Sequence, residues 1–288
     1  MGLLEGRNCV ITGASRGLGA RIAARFWSEG VSLLLIARSR EALEGVVSSL
    51  PVKAQQRAFI FPCDLSDPSV PMRVAAEITD RFGQFHVLVN NAAIQGPIGP
   101  SWTGDGSAWE EAIRVDLLAP IALCRKCIPL MDRRIRAKII NLSGGGAAAA
   151  RPNFSAYATA QAGLVRFSEV LAEETKQMGI DVNCIAPGAM DTAMTDAILN
   201  AGSEAAGSEE CQKATRLRQQ GGSKIDMAAD LAAFLASSAS DSITGKLISA
   251  VWDPWETLPE HIEELRNTDI YTLRRIVPKD RGYDWGER

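Results

Sequence analysis

The stretch of this 288-residue chain that decides its fold reads Cys9-Val10-Ile11-Thr12-Gly13-Ala14-Ser15-Arg16-Gly17-Leu18-Gly19. Its first four residues form a short apolar run typical of a buried strand, and a helical pattern begins near residue 16. The three glycines allow a tight turn and let the backbone approach a pyrophosphate closely. The helix that follows would offer this anion free N–H groups and a partial positive charge. The loop therefore predicts a dinucleotide site inside a βαβ unit.

Apolar runs alternate with amphipathic stretches along most of the chain. The runs are short and nearly continuous, as in parallel strands buried on both faces. They lie at Asn8–Thr12, Val31–Ala37, Ala58–Pro62, Val87–Asn90, Lys138–Leu142, Asp181–Ile185 and Leu247–Val251. Helical patterns lie at 16–29, 40–50, 68–82, 107–134, 155–178 and 227–236. This alternation predicts a Rossmann-type, doubly wound α/β fold with seven parallel strands and helices on both faces.

Neither an internal repeat nor a linker divides the chain, so we expect one domain over residues 1–252. Residues 253–288 leave the alternation, and we expect there a C-terminal extension with a short helix at 258–267. It would pack on the domain or on a neighbouring subunit; alternatively, its aromatic residues would close the active site. The segment 200–225 is rich in Gly, Ser, Ala and Gln and is interpreted as a mobile insertion, either a lid or an interface segment.

Composition argues against several classes of protein. The net charge is −3 and no basic block occurs, so neither nucleic acid nor a membrane surface is an expected partner. The N-terminus lacks the apolar core of a signal peptide, which favours a cytoplasmic location. Cys124 and Cys127 have CxxC spacing, but they lie in a predicted helix without a nearby histidine and are interpreted as buried thiols. The two histidines of the chain argue against a metal site.

Three further motifs follow the glycine loop at the spacing of a known family. They are Cys63-Asp64-Leu65, Asn90-Asn91-Ala92-Ala93 and Pro187-Gly188-Ala189-Met190-Asp191-Thr192. With these motifs the chain resembles the short-chain dehydrogenase/reductase family over most of its length. The resemblance implies a nicotinamide cofactor. Its contacts would come from Gly13, Ser15, Arg16, Gly17, Leu18 and Gly19 in the loop, Asp64 and Leu65 at the adenine, Asn91 and Ala92 beside the nucleotide, and Pro187, Gly188 and Thr192 at the nicotinamide.

The end of the second predicted strand bears on the choice of cofactor. NAD-specific sites place an acidic residue there to bind the ribose 2′-hydroxyl. Ala37 occupies that place, Arg38 follows, and Arg16 lies in the glycine loop. Two guanidinium groups suit a 2′-phosphate, so the sequence predicts NADP(H) in preference to NAD(H). The alternative is that Arg38 and Arg40 are solvated charges at the start of a helix.

The catalytic positions depart from the family pattern, which uses Asn, Ser, Tyr and Lys with the signature Tyr-x-x-x-Lys. In relatives the tyrosine transfers a proton, the serine binds the substrate oxygen, the lysine holds the ribose and the asparagine anchors a water. Tyr157 matches, whereas Gln161 stands at the lysine position and Asp116 at the asparagine position. The serine position falls on Gly144, so we assign the serine role to its neighbour Ser143. Ser155 is a weaker candidate for that role.

The loss of the lysine has a calculable consequence. A positive charge about 4–5 Å from a phenol, at an effective dielectric of ~20, contributes roughly 3–4 kcal/mol, or about 2–3 pKa units. Gln161 cannot supply this charge, and an ionised Asp116 would raise the pKa of Tyr157 further. A protonated Tyr157 is a poor base for oxidation but remains a proton donor for reduction.

These features predict an NADP(H)-dependent oxidoreductase that acts on a carbonyl/alcohol pair of a small molecule and is biased to reduction. The alternative is a nucleotide-binding protein with non-redox acid/base chemistry (a dehydratase, isomerase or epimerase) or an inactive partner subunit. The resemblance implies a homodimer or homotetramer through helices 107–134 and 155–178. The substrate pocket is expected from Gln95–Ser101, the loop after Ser143, 189–195, 200–225 and the C-terminal extension. Arg151 is a candidate contact for an anion.

Overall fold

The computed structural model of the protein describes residues 2–220 and 224–285. Its strands are β1 (Asn8–Thr12), β2 (Ser32–Ala37), β3 (Ala58–Pro62), β4 (Val87–Asn90), β5 (Ala137–Leu142), β6 (Ile180–Ala186) and β7 (Leu247–Ser249). They form one parallel seven-stranded sheet in the order β3-β2-β1-β4-β5-β6-β7. The predicted Rossmann-type fold class is confirmed. Because the strand order reverses between β1 and β4, a crevice opens at the carboxyl ends of these two strands.

Helices connect the strands. They are α1 (Gly17–Ser28), α2 (Arg40–Ser49), α3 (Val70–Phe82), α4 (Gly106–Ile113), α5 (Ala119–Cys127), α6 (Ser155–Thr175), α7 (Ala193–Ala206), α8 (Ser208–Gln220), α9 (Lys224–Ala236) and α10 (Ile262–Asn267). Within the described ranges, none of these helices combines the length and the apolar character that crossing a membrane requires.

Successive residues of each strand face opposite sides of the sheet, where two apolar clusters form. On one side, Ile11 and Leu35 pack with residues of α1 and α9. On the other side, Val10 and Leu34 pack with residues of α3, α5 and α6. Both faces of the sheet are therefore covered, which explains why the strands are apolar along their whole length.

A buried ionic network lies at the other end of the sheet, near the amino ends of β5 and β6. Lys138 on β5 is fully buried, and its Nζ lies 2.9 Å from Asp181 Oδ2 on β6 and 2.8 Å from Asp241 Oδ1. Lys138 also donates to Ser240 Oγ at 3.2 Å, and Arg136 Nη1 lies 2.9 Å from Asp181 Oδ1. A buried lysine requires such partners, since an unpaired charge in the interior is costly.

The long helix predicted at 107–134 is interrupted. A π-helical turn, Arg114–Leu118, separates α4 from α5, and a 3₁₀ turn follows at Ile128–Leu130. Pro120 has no N–H to donate to the carbonyl of Asp116, so the regular α-helical bonding cannot continue through this point. The wider turn places Asp116 in the interior, where it is 1% exposed.

The segment 200–225, interpreted as a mobile insertion, is helical in its described part, and its mobility stays a prediction. Residues up to 220 belong to α7 and α8, and residues 221–223 lie outside the described residues. The glycines interrupt helices rather than form a loop: Gly202 (φ 74°) kinks α7, and Gly207 (φ 90°) separates α7 from α8. Most residues between the two glycines are good helix formers. In α8, Lys213 Nζ pairs with Glu209 Oε1, one helical turn away, at 2.8 Å.

The C-terminal extension packs on its own chain. A 3₁₀ turn, Trp255–His261, precedes α10, and Leu258 and Leu265 join the apolar cluster of α1 and α9. Further on, Tyr271 O accepts a hydrogen bond from Leu247 N at 2.8 Å, so the extension covers the outer edge of β7. β7 is shorter than predicted because Asp253 Oδ2 accepts from Ser249 N at 2.6 Å and turns the chain there.

Candidate functional site

A cavity of about 570 Å³ opens at the carboxyl ends of β1, β2, β4, β5 and β6. Its volume falls in the range of small-molecule and cofactor sites. Most of the residues predicted to bind a cofactor line it. These are Gly13, Ser15, Arg16, Gly17, Leu18, Gly19, Arg38, Asp64, Leu65, Asn91, Ala92, Tyr157, Pro187 and Thr192. Three predicted site residues are not among its walls, namely Gly188, Gln161 and Asp116.

The glycine loop is held tightly against the loop after β4. Thr12 Oγ1 accepts hydrogen bonds from Asn91 N at 3.0 Å and Ala92 N at 3.1 Å. Asn91 Nδ2 donates to Thr12 O at 3.0 Å and to Gly13 O at 3.2 Å. A Cβ at Gly19 would lie 2.2 Å from Gly13 O and 2.5 Å from Asn91 Nδ2, so only glycine fits there. This packing brings the start of α1 against the cavity.

The N-terminus of α1 suits a phosphate group. Arg16 precedes the helix in an extended conformation, and its side chain makes no capping hydrogen bond to the first turn. The first N–H groups of α1 therefore depend on another partner, and the residues that carry them, Gly17, Leu18 and Gly19, line the cavity. An anion bound there would satisfy these donors and the helix dipole.

Two exposed arginines, Arg16 in the glycine loop and Arg38 after β2, line the cavity. Arg16 and Arg38 both line it, and neither forms an ion pair with any residue that the structure describes. Arg40, by contrast, lies outside the cavity and is 3.7 Å from Glu44. Ser39 caps α2 by accepting from Ala42 N at 3.1 Å, which turns the chain away directly after Arg38. Two free guanidinium groups therefore flank the end of β2.

The opposite end of the cavity is formed by the chain after β6. Pro187, Met190, Thr192 and Met194 line it. Thr192 begins α7 by accepting from Met194 N at 3.3 Å. Gly188 instead faces the protein, because a Cβ there would lie 2.6 Å from Val251 Cγ2.

Tyr157 and Ser143 lie together in the cavity wall. Tyr157 on α6 is 7% exposed, and its Oη lies against Gly144, where a Cβ would be only 2.1 Å away. Ser143 is 4% exposed, and its Oγ has no hydrogen-bond partner among the described residues. Ser155 is not among the residues that line the cavity, and its Oγ accepts from Trp109 Nε1 at 3.2 Å. Between the two serines, only Ser143 is available to a ligand in the cavity.

Asp116 and Gln161 lie behind this wall. Each is 1% exposed. Asp116 Oδ1 accepts from Ile94 N at 2.8 Å, while Asp116 Oδ2 and Gln161 Oε1 have no hydrogen-bond partner in the described part of the chain. Burial raises the pKa of Asp116 to about 8, although hydrogen bonds from Ile94 and Gln161 act in the opposite direction. At neutral pH the protonated, uncharged form of Asp116 therefore predominates.

The Tyr157 hydroxyl is a weak acid in this environment. Burial, and after it the charge of Asp116, raise the pKa of Tyr157 well above its ordinary value, and Arg151 lowers it by a smaller amount. Arg151 is itself engaged: its Nη2 lies 2.6 Å from Glu210 Oε2 on α8, and it stacks 3.9 Å over the Phe154 ring. The candidate anion contact is thus occupied by a residue of the same chain.

Several cavity residues were not predicted as site residues, among them Ala42, Glu111 and Val115. Ala42 reaches the cavity from α2, and Glu111 and Val115 reach it from the helical stretch before Asp116. The spacing of Glu111 and Val115, four residues apart, puts them on one helix face. That spacing was the available signal, but it does not tell which face turns toward the cavity.

The comparisons with known proteins agree with this geometry. The family model described as short chain dehydrogenase matches residues 7–202. The chain is 35% identical over 248 residues to 3beta-hydroxysteroid dehydrogenase 1 of Eggerthella lenta, covering 84% of this chain and 91% of that protein. It is 31% identical over 253 residues to the 3-oxoacyl-[acyl-carrier-protein] reductase FabG of Staphylococcus aureus, covering 84% and 95%.

Solved structures share the fold. A dehydrogenase/reductase from Sinorhizobium meliloti has a TM-score of 0.73 at 27% identity, covering 85% of this chain and 94% of that one. A Shigella flexneri protein complexed with NADP has a TM-score of 0.75 at 24% identity, covering 86% and 98%. NAD+-bound xylitol dehydrogenase has a TM-score of 0.76 at 22% identity, covering 85% and 98%.

Proposed function

Because the chain belongs to the short-chain dehydrogenase/reductase family, we propose that it is an NADP(H)-dependent oxidoreductase that reduces a carbonyl group of a small molecule. The observation that carries this proposal is the cavity at the carboxyl ends of the strands, whose walls include both the start of α1, which suits a phosphate, and the Tyr157 side chain. When bound, the nicotinamide supplies a hydride. The protein supplies the binding groups and the proton.

The preference for NADP(H) rests on the end of β2. One structural neighbour holds NADP and another NAD+, so the preference must follow from this chain's own residues. Arg16 and Arg38 line the cavity without ionic partners among the described residues, and Ala37 leaves no carboxylate to repel a phosphate. A 2′-phosphate would gain charge-assisted hydrogen bonds from both guanidinium groups.

The bias to reduction rests on Tyr157. Its raised pKa keeps the hydroxyl protonated, so it can donate to a substrate oxygen but cannot serve as a base for an alcohol. Ser143, whose buried Oγ lacks a partner among the described residues, is the group we assign to hold that oxygen. Gln161 is neutral and supplies no charge that would lower the pKa of the phenol. We therefore infer a slow reductase or one that acts on an activated carbonyl.

The proposal is tested first by cofactor titration. Purified protein is titrated with NADPH and with NADH, and energy transfer from tryptophan to the nicotinamide reports binding. We expect NADPH to bind more tightly. NADPH oxidation is then followed with a panel that includes a 3-oxosteroid and a 3-oxoacyl-[acyl-carrier-protein], the compounds that the names of the relatives suggest.

Tyr157→Phe is the matched control, because it keeps the ring and removes only the hydroxyl. It should bind NADPH like the wild type and lose most of the reduction, since general-acid assistance contributes about 10²–10⁴-fold. If neither nucleotide bound, the oxidoreductase proposal would fail. Alcohol oxidation at pH 7 as fast as the reduction would refute the directional bias.

A second candidate function is nucleotide binding without turnover, as a regulatory or partner subunit or with non-redox chemistry. It is favoured by Gly144, which offers no hydroxyl at the family's serine position and has the Tyr157 Oη against it. NADPH binding without consumption of any carbonyl in the panel would favour this second function.

We also infer that two copies associate through α4–α5 and α6. This inference rests on the family resemblance, and Leu118, which is 49% exposed, and Val170, which is 48% exposed, are large apolar side chains in these segments that such an association would cover. Sedimentation of the wild type and of Val170→Glu tests it, and a monomeric wild type would refute it.

A further inference from the structure

The two edges of the sheet differ in how they are covered. At one edge, the C-terminal extension lies along β7, where Leu247 N donates to Tyr271 O at 2.8 Å. At the other edge, among the residues that the structure describes, β3 pairs with β2 on one side and with no strand on the other. A strand edge of this kind presents unpaired N–H and C=O groups to which another extended chain can add.

The register of β3 decides which of its backbone groups face outward. Cys63 N, directly after the strand, donates to Ala37 O at 2.9 Å, so the odd-numbered residues of β3 face β2. The residues between them face away from β2, and these are Ala58, Ile60 and Pro62. Ala58 and Ile60 each offer an N–H and a C=O group, whereas Pro62 offers its C=O alone.

A groove of about 520 Å³ lies along this edge, and we call it the β3 groove. All residues of β3 line it, together with Arg40 at the start of α2 and Arg73, Glu77 and Arg81 on α3. Three guanidinium groups and one carboxylate give this lining a net positive charge. The exposed backbone edge therefore lies beside a cluster of cations.

Two of these cations are held against aromatic rings of β3. The Arg73 guanidinium lies 5.3 Å from the centre of the Phe61 ring, and the Arg81 guanidinium lies 5.1 Å from the centre of the Phe59 ring. Phe59 and Phe61 are two residues apart on one face of the strand, which corresponds to about 6.6 Å along it. The two positive charges follow the spacing of the strand.

The carboxylates of the same chain leave both cations available. Arg73 Nη1 lies 3.8 Å from Asp67 Oδ2, which is too far for a hydrogen bond. Arg81 Nε donates to Glu77 Oε2 at 3.1 Å. Both guanidinium groups are about half exposed, and exposed ion pairs of this kind contribute little to stability. A further carboxylate would thus compete with weak partners only.

We propose that the β3 groove is a docking site for an extended, acidic segment of another protein. The segment pairs its backbone with Ala58 and Ile60 and adds a strand to the sheet. Carboxylates two residues apart in that segment lie on one face, so that one meets Arg73 and the next meets Arg81. The β3 groove shares no lining residue with the cofactor cavity, so this binding does not depend on the proposed function.

Two other occupants fit this edge less well. A second copy of the chain would bring its own Arg40, Arg73 and Arg81 to the same edge, and the like charges would repel each other. A single-stranded nucleic acid binds through aromatic faces on which its bases stack. One face of the Phe59 ring and one face of the Phe61 ring are already occupied by guanidinium groups.

The test measures the binding of dye-labelled peptides by fluorescence anisotropy. The probe is a blocked heptapeptide in which glutamate alternates with valine, and its control has glutamine in place of every glutamate. We expect the glutamate peptide to bind about tenfold more tightly, since it alone offers charge-assisted hydrogen bonds. Only its affinity should fall as salt is added. The same peptide with methylated backbone amides keeps its charges, but it should bind weakly because it has lost its donors.

Variants assign the binding to this edge. Arg73→Ala combined with Arg81→Ala should weaken binding of the glutamate peptide about tenfold. The matched control, Arg216→Ala combined with Arg266→Ala, removes two exposed arginines outside the groove and should change nothing. Ala58→Pro removes an outward N–H at the first residue of β3, where proline is tolerated, and should weaken binding while β3 stays paired with β2. Urea unfolding shows that each variant is folded.

The outcomes separate charge recognition from strand addition. Equal binding of the glutamate and glutamine peptides would overturn the first, and full binding of the methylated peptide would overturn the second. If the glutamate peptide did not bind, or if a single-stranded RNA oligonucleotide bound more tightly to the same arginines, the docking site itself would be refuted. Should the double arginine variant fail to fold, the peptide pair and the salt series still decide. Loss of NADPH binding in the wild type would bear on the proposed function alone.

Discussion

A serine introduced at position 144, where the sequence predicts the family's serine position, should harm this protein rather than improve it. A Cβ at Gly144 would lie 2.1 Å from Tyr157 Oη, 2.9 Å from Cζ and 3.0 Å from Cε1. Since real Cβ contacts essentially never fall below 3.0 Å, the ring or the loop must move by about 1 Å, and overpacking of this kind costs about 1–3 kcal/mol. Gly145→Ser is the matched control, because a Cβ there would meet Arg151 Cδ at an ordinary 3.7 Å.

The comparison of the two variants isolates the clash. Each replaces a glycine by serine and so restricts the unfolded chain equally, and this contribution cancels in their difference. Urea unfolding should therefore show Gly144→Ser to be less stable than Gly145→Ser by about 1–3 kcal/mol. NADPH-dependent reduction should be slower in Gly144→Ser, because the Tyr157 hydroxyl is displaced. Equal free energies of unfolding, or faster reduction by Gly144→Ser, would refute this reasoning.

Two further substitutions test other parts of the structure. Arg38→Ala should weaken NADPH binding about 10- to 150-fold with little effect on NADH, since a charge-assisted hydrogen bond contributes about 1.5–3 kcal/mol. Fluorescence titration measures both affinities, and Arg40→Ala, which lies outside the cavity, should change neither. Lys138→Met should lower the free energy of unfolding by about 3 kcal/mol, because it leaves Asp181 buried with fewer partners. The exposed Lys126→Met is its control, and equal stability of these two variants would contradict the role of the ionic network.

The fold could be predicted from local patterns because its parallel strands are buried on both faces. Alternation of apolar runs and amphipathic stretches predicted the seven strands, with ends that differ from the observed ones by a residue or two. The predicted secondary structure was wrong where a side-chain contact or the surrounding fold determines where a helix or strand begins and ends. No helix was predicted within 200–220, but Gly202 only kinks α7, and Gly207 separates α7 from α8. The end of β7 depends on the Asp253 side chain, which no apolar pattern reveals.

The residues of the candidate site likewise fall into two groups, those that the sequence predicted and those that it did not. Glycine-loop residues and Arg38 were predicted because they stand beside strand ends in the sequence, and they line the cavity. Glu111 and Val115 were missed because they reach it from a helix, through packing that no local motif encodes. The contact between Gly144 and Tyr157 joins positions thirteen residues apart, so its closeness required the folded chain. Likewise, the protonation of Asp116 depends on burial that its sequence neighbours do not show.

The three residues that the sequence predicts to depart from the family pattern, Asp116, Gly144 and Gln161, lie near Tyr157 in the fold or one helical turn from it on α6. Gly144 leaves room for the Tyr157 hydroxyl, and Asp116 and Gln161 are both buried, each with one oxygen that has no hydrogen-bond partner among the described residues. A lysine introduced alone at 161 would meet an acid whose pKa it lowers, and the resulting ion pair would cancel much of the charge that the tyrosine requires. Asp116→Asn with Gln161→Lys is therefore the smallest change that restores a net positive charge beside Tyr157. The effects of the two substitutions should be strongly non-additive because the side chains interact directly.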